Sequence, residues 1–223
     1  MPQRSTDHPP QLDSIRFAME RGLDALRSLQ HDDGHFSAEL EGDSILQSEY
    51  LLMKWILGQE REPLADGRGP EVLDRIVNML RLQQRAPGEV GAGGWGQYPG
   101  SAVDISASVK AYFCLKLHGD SPDAPHMAQA RAVIRQMGGA EKANTFSTFY
   151  LACLGQVSWD AVPAIPPEII LLPRWCYFHL DKVSAWTRTM LLPLALVVTL
   201  RPTRTLPPEL SIDELFLDHA ARH

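Results

Sequence analysis

Apolar residues recur at helical spacing along most of the chain. In residues 12–30, LDSIRFAMERGLDALRSLQ, the side chains of Ile15, Ala18, Met19, Leu23, Leu26 and Leu29 fall near one face. Asp13 or Ser14 can cap the free backbone N–H groups at its start. The same spacing predicts helices over 44–58, closed by Gly58, and over 70–84, where Pro70 suits a first turn. Residues 104–119 open on a capping Asp104 and end at Gly119; PHMAQARAVIRQMGG and KANTFSTFYLACLG follow, each closed by glycine. Residues 182–200 hold the most apolar helical run. Pro193 lies inside it and predicts a kink or a fresh turn, because it lacks an N–H and crowds the preceding carbonyl. Pro163, Pro166, Pro167 and Pro173 make residues 160–175 a poor regular helix, and the tail carries one short helical signal. No stretch alternates with period two. The chain therefore reads as all-α, with seven or eight helices arranged as a bundle, a globin-like packing or an array of helical hairpins.

Composition narrows this picture. The 223 residues suffice for one large domain or two small ones, and 44% hydrophobic with 22% charged residues is an ordinary globular balance. A net charge of −6 leaves no basic surplus to neutralise phosphates, which argues against a nucleic-acid partner. Cys114, Cys153 and Cys176 are odd in number and far apart, which points to reduced thiols in a cytosolic setting. Cys114 and Cys153 fall in apolar helices and read as inert small hydrophobes. The N-terminus has no apolar stretch of the secretory type. The longest apolar run, residues 190–200, is too short to span a bilayer, which takes about 20 residues.

The segment GAGGWGQYPGSAVDIS, residues 91–106, packs five glycines, a tryptophan and a proline into one connector. A phosphate cradle would want a strand before it and a lysine after it, and neither is present. Internal similarity explains it better. Residues 21–36 and 75–96 each run from an arginine along a helix to a glutamine, then through a loop to Gly-x-aromatic. The first unit supplies Gln30, Gly34 and Phe36, and the second Gln83, Gly93 and Trp95. Such a glutamine can bridge free helix-end carbonyls to the next loop, the glycine permits a left-handed turn, and the aromatic folds back over the helix end.

These Gln…Gly-x-aromatic units resemble the QW motif of triterpene cyclases, with Phe36 standing where tryptophan is usual. The runs GGWGQYPGSAVDISASVKAYFCLKLHG, EGDSILQSEYLLMKWILG and WDAVPAIPPEIILLPRWCYFHLDKVSAWTRTMLLPL are similar to bacterial squalene–hopene cyclases. The likeness covers about residues 12–216, leaving 1–11 as a flexible N-terminus and 217–223 as a tail. It implies a partial α/α barrel of helical hairpins, part of a monotopic membrane enzyme that cyclises a linear isoprenoid such as squalene to a hopanoid. That family also implies a cytoplasmic, peripheral position on the inner face of the cell membrane, and no cofactor or metal. Its chemistry starts when an aspartic acid of an Asp-x-Asp-Asp motif protonates an alkene, and aromatic faces then stabilise the cations. The sequence contains no Asp-x-Asp-Asp. Its nearest acidic groups, Asp32–Asp33 and Glu39/Glu41/Asp43, read as solvated turns.

The resemblance therefore implies an N-terminal part, inactive alone, whose acid lies on a separately encoded C-terminal half or is lost. In SAWTRTMLLPL it implies that Trp186 lines the substrate cavity; Trp175 and Tyr177 are candidates for the same wall, while Trp55 reads as core. Exposed apolar barrel faces in such a part predict self-association unless a partner or membrane covers them. The competing function is a non-catalytic helical array that binds a protein or an isoprenoid lipid. A protein prenyltransferase β-subunit, also an α/α barrel, would need an Asp/Cys/His zinc cluster that the sequence lacks. His31 and His35, flanking Gly34, read as loop residues and His179 as a packing residue.

Overall fold

The structure, a computed structural model, describes residues 12–37, 43–63 and 67–218. The expected N-terminus 1–11, Glu39, Glu41 and most of the expected tail lie outside the described residues. The described residues form seven α-helices and six short 3₁₀ turns, and no strands. The chain divides into two compact units, residues 1–41 and 42–223.

The first unit holds α1 (Leu12–Leu29), whose apolar stripe is exposed: none of its residues is buried. Its loop returns through the Gln30–Phe36 backbone bridge.

The second unit is a partial α/α barrel in two layers. α2 (Ser44–Ile56), α4 (Ile105–Leu117) and α6 (Thr145–Cys153) pack on one another. Outside them, α3 (Glu71–Gln83) lies against α2 and α4, and α5 (Pro125–Gln136) against α4. The two layers start differently. α2, α4 and α6 begin on side-chain caps from Asp43, Asp104 and Asn144, each accepting from backbone N–H groups of the first turn. α3 and α5 have no side-chain cap and start at Pro70 and Pro125. Asp43 is thus a helix cap rather than part of a solvated acidic turn.

α4 is the centre of the unit. Every residue from Ser106 to Leu117 is buried, so it needs no polar face and shows none. Its two lysines reach carboxylates instead: Lys110 Nζ lies 2.6 Å from Glu49 of α2, and Lys116 Nζ 2.7 Å from Glu214. Tyr112 donates to the same Glu214 oxygen at 2.8 Å. Partnering of this kind is what makes a buried charge tolerable. Leu51 and Leu52 are fully buried beside α4, with Trp55 only partly so.

α7 (Ala185–Leu200), capped by Ser184, starts three residues after the expected boundary, because Leu180–Lys182 form a 3₁₀ turn. It runs through Pro193 as one helix. Residues 159–171 hold only 3₁₀ turns, as their prolines dictate. The tail's helical signal resolves into two 3₁₀ turns, Pro208–Leu210 and Asp213–Leu215. Ile212, Leu215 and Phe216 of this tail are nonetheless buried in the main core. The tail crosses the C-terminal ends of α6, α4 and α5: Arg204 N–H donates to Cys153 O, Lys116 donates to Ser211 O, and Arg135 donates to the carbonyls of Glu214 and Phe216.

Candidate functional site

The glycine connector folds into a clamp between α3, α4 and α5. Trp95 is fully buried, and its indole N–H donates to Leu80 O over 2.7 Å. Leu80 is in the last turn of α3, where carbonyls have no partner within the helix. Trp95 N–H donates to Ser108 Oγ at 3.0 Å, and Asp104 N–H returns to Trp95 O at 2.8 Å, tying the clamp to the start of α4.

The glutamine of this clamp is Gln84. Its amide donates to Gly93 O at 2.8 Å and to His126 O, in the first turn of α5, at 2.9 Å. Gln83, the expected residue, is the half-buried last position of α3 and makes neither of these bonds. The signal was present, since the same nine-residue step separates Arg21 from Gln30 and Arg75 from Gln84.

The first unit repeats the bond: Gln30 Nε2 donates to Gly34 O, also at 2.8 Å. There the aromatic, Phe36, is 55% exposed. A phenyl ring has no N–H to offer a helix-end carbonyl. Both glycines take positive φ, +91° at Gly34 and +90° at Gly93. Between Gln30 and Phe36 the rings of His31 and His35 stack 4.3 Å apart, in the expected loop.

The residues expected to line a substrate cavity are at the surface. Trp186, in the first turn of α7, is 68% exposed, and Trp175 and Tyr177, on the loop leading to it, are 84% and 81% exposed. Tyr177 meets Phe178 edge-on at 5.1 Å. Ile170 and Leu171, in the 3₁₀ turn packed on α7, are also exposed. The structure thus presents an apolar, aromatic-rich stretch from 170 to 186, and leaves the rings uncovered. His179 accepts from Asp181 N–H and so packs its own turn. An apolar cleft of about 290 Å³ lies beside the C-terminal half of α7, lined by Trp159, Val162, Ile165, Pro166 and Val198.

Ionisable chemistry is sparse. Among the described residues no group of three or more His, Cys, Asp or Glu side chains is placed to hold a metal ion. Burial pushes the Cys114 thiol up to about 12, and that of Cys153 to about 11, so both stay un-ionised at neutral pH. Among the described residues no helix is long and apolar enough to cross a membrane.

The sequence pattern of the squalene–hopene cyclase N-terminal domain matches residues 19–223. The chain belongs to the squalene–hopene cyclase family. It is 40% identical over 210 residues to the squalene–hopene cyclase of Zymomonas mobilis, an alignment covering 94% of this chain and 30% of that protein. With the squalene–hopene cyclase of Bradyrhizobium diazoefficiens it shares 44% identity over 188 residues, covering 84% of this chain and 27% of the other. With the dammaradiene synthase of Dryopteris crassirhizoma it shares 31% identity over 214 residues, covering 96% and 29%. The chain therefore spans about 30% of the length of these curated relatives. Its all-α architecture is that of a squalene–hopene cyclase N-terminal region.

Proposed function

We propose that this chain is the N-terminal barrel region of a squalene–hopene-type cyclase, forming and bracing part of the apolar vessel in which a linear isoprenoid such as squalene is folded. The observation that carries this reading is the uncovered aromatic set Trp175, Tyr177 and Trp186 on α7 and its lead-in. Ring faces in a water-free cavity attract a developing carbocation, and their apolar area packs against a polyene. The chain's own part is to present those rings from a braced barrel. The proton comes from an acid outside residues 1–223, since the sequence has no Asp-x-Asp-Asp. The reading carries with it a separately supplied C-terminal half, a cytoplasmic location and peripheral attachment to the membrane. The location is supported by the free thiols Cys114, Cys153 and Cys176.

The test is a squalene assay on the purified chain, alone and with the C-terminal region of the Zymomonas mobilis enzyme co-expressed. The chain alone yields no hopanoid above a protein-free blank. The pair yields hopanoid, and Trp186→Ala lowers that yield by about tenfold or more, the cost of removing an aromatic cation stabiliser. Product from the chain alone, or a pair indifferent to Trp186, overturns the reading. Flotation with anionic vesicles tests the attachment.

A further inference from the structure

α7 is held unevenly. Its only buried residues are Ala195 and Val198, and none from Ala185 to Leu192 is buried. Pro193 falls between the two halves. It has no N–H for the carbonyl one turn back, so the helix ladder is weakest where burial stops.

Beyond Pro193 the contacts are dense. Val198 joins Ala152, Cys153, Trp159 and Val162 in a satellite core. Arg201 ends the helix at φ +47°, and Trp159 Nε1 donates to Thr203 Oγ1 at 2.9 Å. Arg204 then locks the end of α7 to two inner helices at once. Its backbone N–H donates to Cys153 O at the end of α6, over 2.8 Å. Its guanidinium donates to both carboxylate oxygens of Glu60, at 2.8 and 2.9 Å, and to Trp55 O at the end of α2. It also lies 5.1 Å from the centre of the Trp55 ring. At the end of α2 the guanidinium meets an unpartnered carbonyl and the negative end of the helix dipole, and at the end of α6 the backbone N–H satisfies a further carbonyl. The forked geometry suits arginine and not lysine.

We propose that α7 is a rooted arm: Arg204 is the positioning residue that fixes its C-terminal half, Pro193 is the hinge, and Trp186 rides on the half that holds no fully buried residue, about 14 Å beyond the root at helical rise. The assignment of Trp186 to a cavity wall rests on the function proposed above; the arm itself does not.

Amide hydrogen exchange on the full chain tests the arm without substrate. In the unsubstituted protein, amides 187–192 exchange about tenfold or more faster than those of 195–200. Arg204→Ala accelerates 195–204 by about tenfold or more and leaves α4 unchanged, and Arg204→Lys falls between. Pro193→Ala, which restores the missing donor, slows exchange at 189–194. Even protection along α7, equal acceleration of α4 and α7, or no slowing in Pro193→Ala overturns the proposal. If Arg204→Ala does not fold, Arg204→Lys and Glu60→Gln give the same reading, with α4 again the control. Because no squalene is used, a failed arm leaves the cyclase reading standing, and a failed squalene assay leaves the arm standing.

Discussion

The ammonium of Lys110, only 1% exposed on a helix buried all round, lies 2.6 Å from a carboxylate oxygen of Glu49. Removing Lys110 leaves the Glu49 carboxylate, 26% exposed, without its partner, whereas a pair replaced together by neutral groups often costs little. Lys110→Ala should therefore lose about 3 kcal/mol in urea unfolding, and Lys110→Met combined with Glu49→Gln should recover part of that. A loss below about 1 kcal/mol for the single variant would mean water already reaches the pair.

Gln84 and Gln83 are neighbours with unequal work. Gln84→Ala removes the bonds to Gly93 O and His126 O, and should lower stability by about 2 kcal/mol. Gln83→Ala should cost clearly less. Trp95→Phe keeps most of the ring but strands Leu80 O, at about 1–2 kcal/mol. Thermal melts of the three variants rank them, and a Gln83 variant worse than the Gln84 one would reverse the clamp assignment.

Glycines with the same backbone angle should differ sharply. A Cβ on Gly93 would meet Gln129 C and Cβ at 2.8 Å, while one on Gly88, at φ +96°, meets nothing within 4 Å. Gly88→Ala should cost about 1 kcal/mol, from φ alone. Gly93→Ala should cost at least about 2 kcal/mol more, because packed backbone has to move. Equal melting shifts would show that the clamp loop gives way.

Asp120 makes part of the stability pH-dependent. Burial raises its pKa, but hydrogen bonds from Arg81 and His126 outweigh that, and the net shift is downward. A folded-state pKa below the unfolded one gives stability that is present above the unfolded value, about 3.9, and lost as pH falls through the folded one. Denaturant midpoints should thus drop below about pH 4 in the unsubstituted protein. Asp120→Asn should start lower at neutral pH and converge with it in acid. A constant gap between the two curves would remove Asp120 as the source.

Exposed apolar side chains on α1 and from Ile170 to Trp186 should drive self-association. Sedimentation velocity in detergent-free buffer should show mass rising with concentration, and a clean monomer at all concentrations would refute this.

Much of this fold is legible in the chain because helix ends are written locally. Asp104, Gly58 and Gly119 mark their boundaries within a residue or two. The Gly-x-Trp pattern coincides with the Trp95 turn, while the glutamine that bonds to it is Gln84 and not its neighbour Gln83. What stayed hidden depends on distant partners. Nothing near Arg204 in sequence announces Glu60 or Trp55, more than 140 residues back. The tail reads as polar and proline-broken, yet Ile212, Leu215 and Phe216 fill the main core. α7 continues through Pro193 as one element, since an i−4 bond can be forgone on an exposed face without ending a helix. For Trp175, Tyr177 and Trp186 the chain gives no local sign of how exposed they are. Their exposure depends on what else covers them.

The alternation of capped and proline-led helix starts works as punctuation for the whole repeat. An acid or amide before the first turn marks an inner helix, and a proline there marks an outer one. Ser184 caps α7 from its side chain in the same manner, and the stretch between α6 and α7 holds only short proline-broken turns. A helical repeat punctuated this way can be read off unfamiliar relatives letter by letter, before any of them is seen in three dimensions.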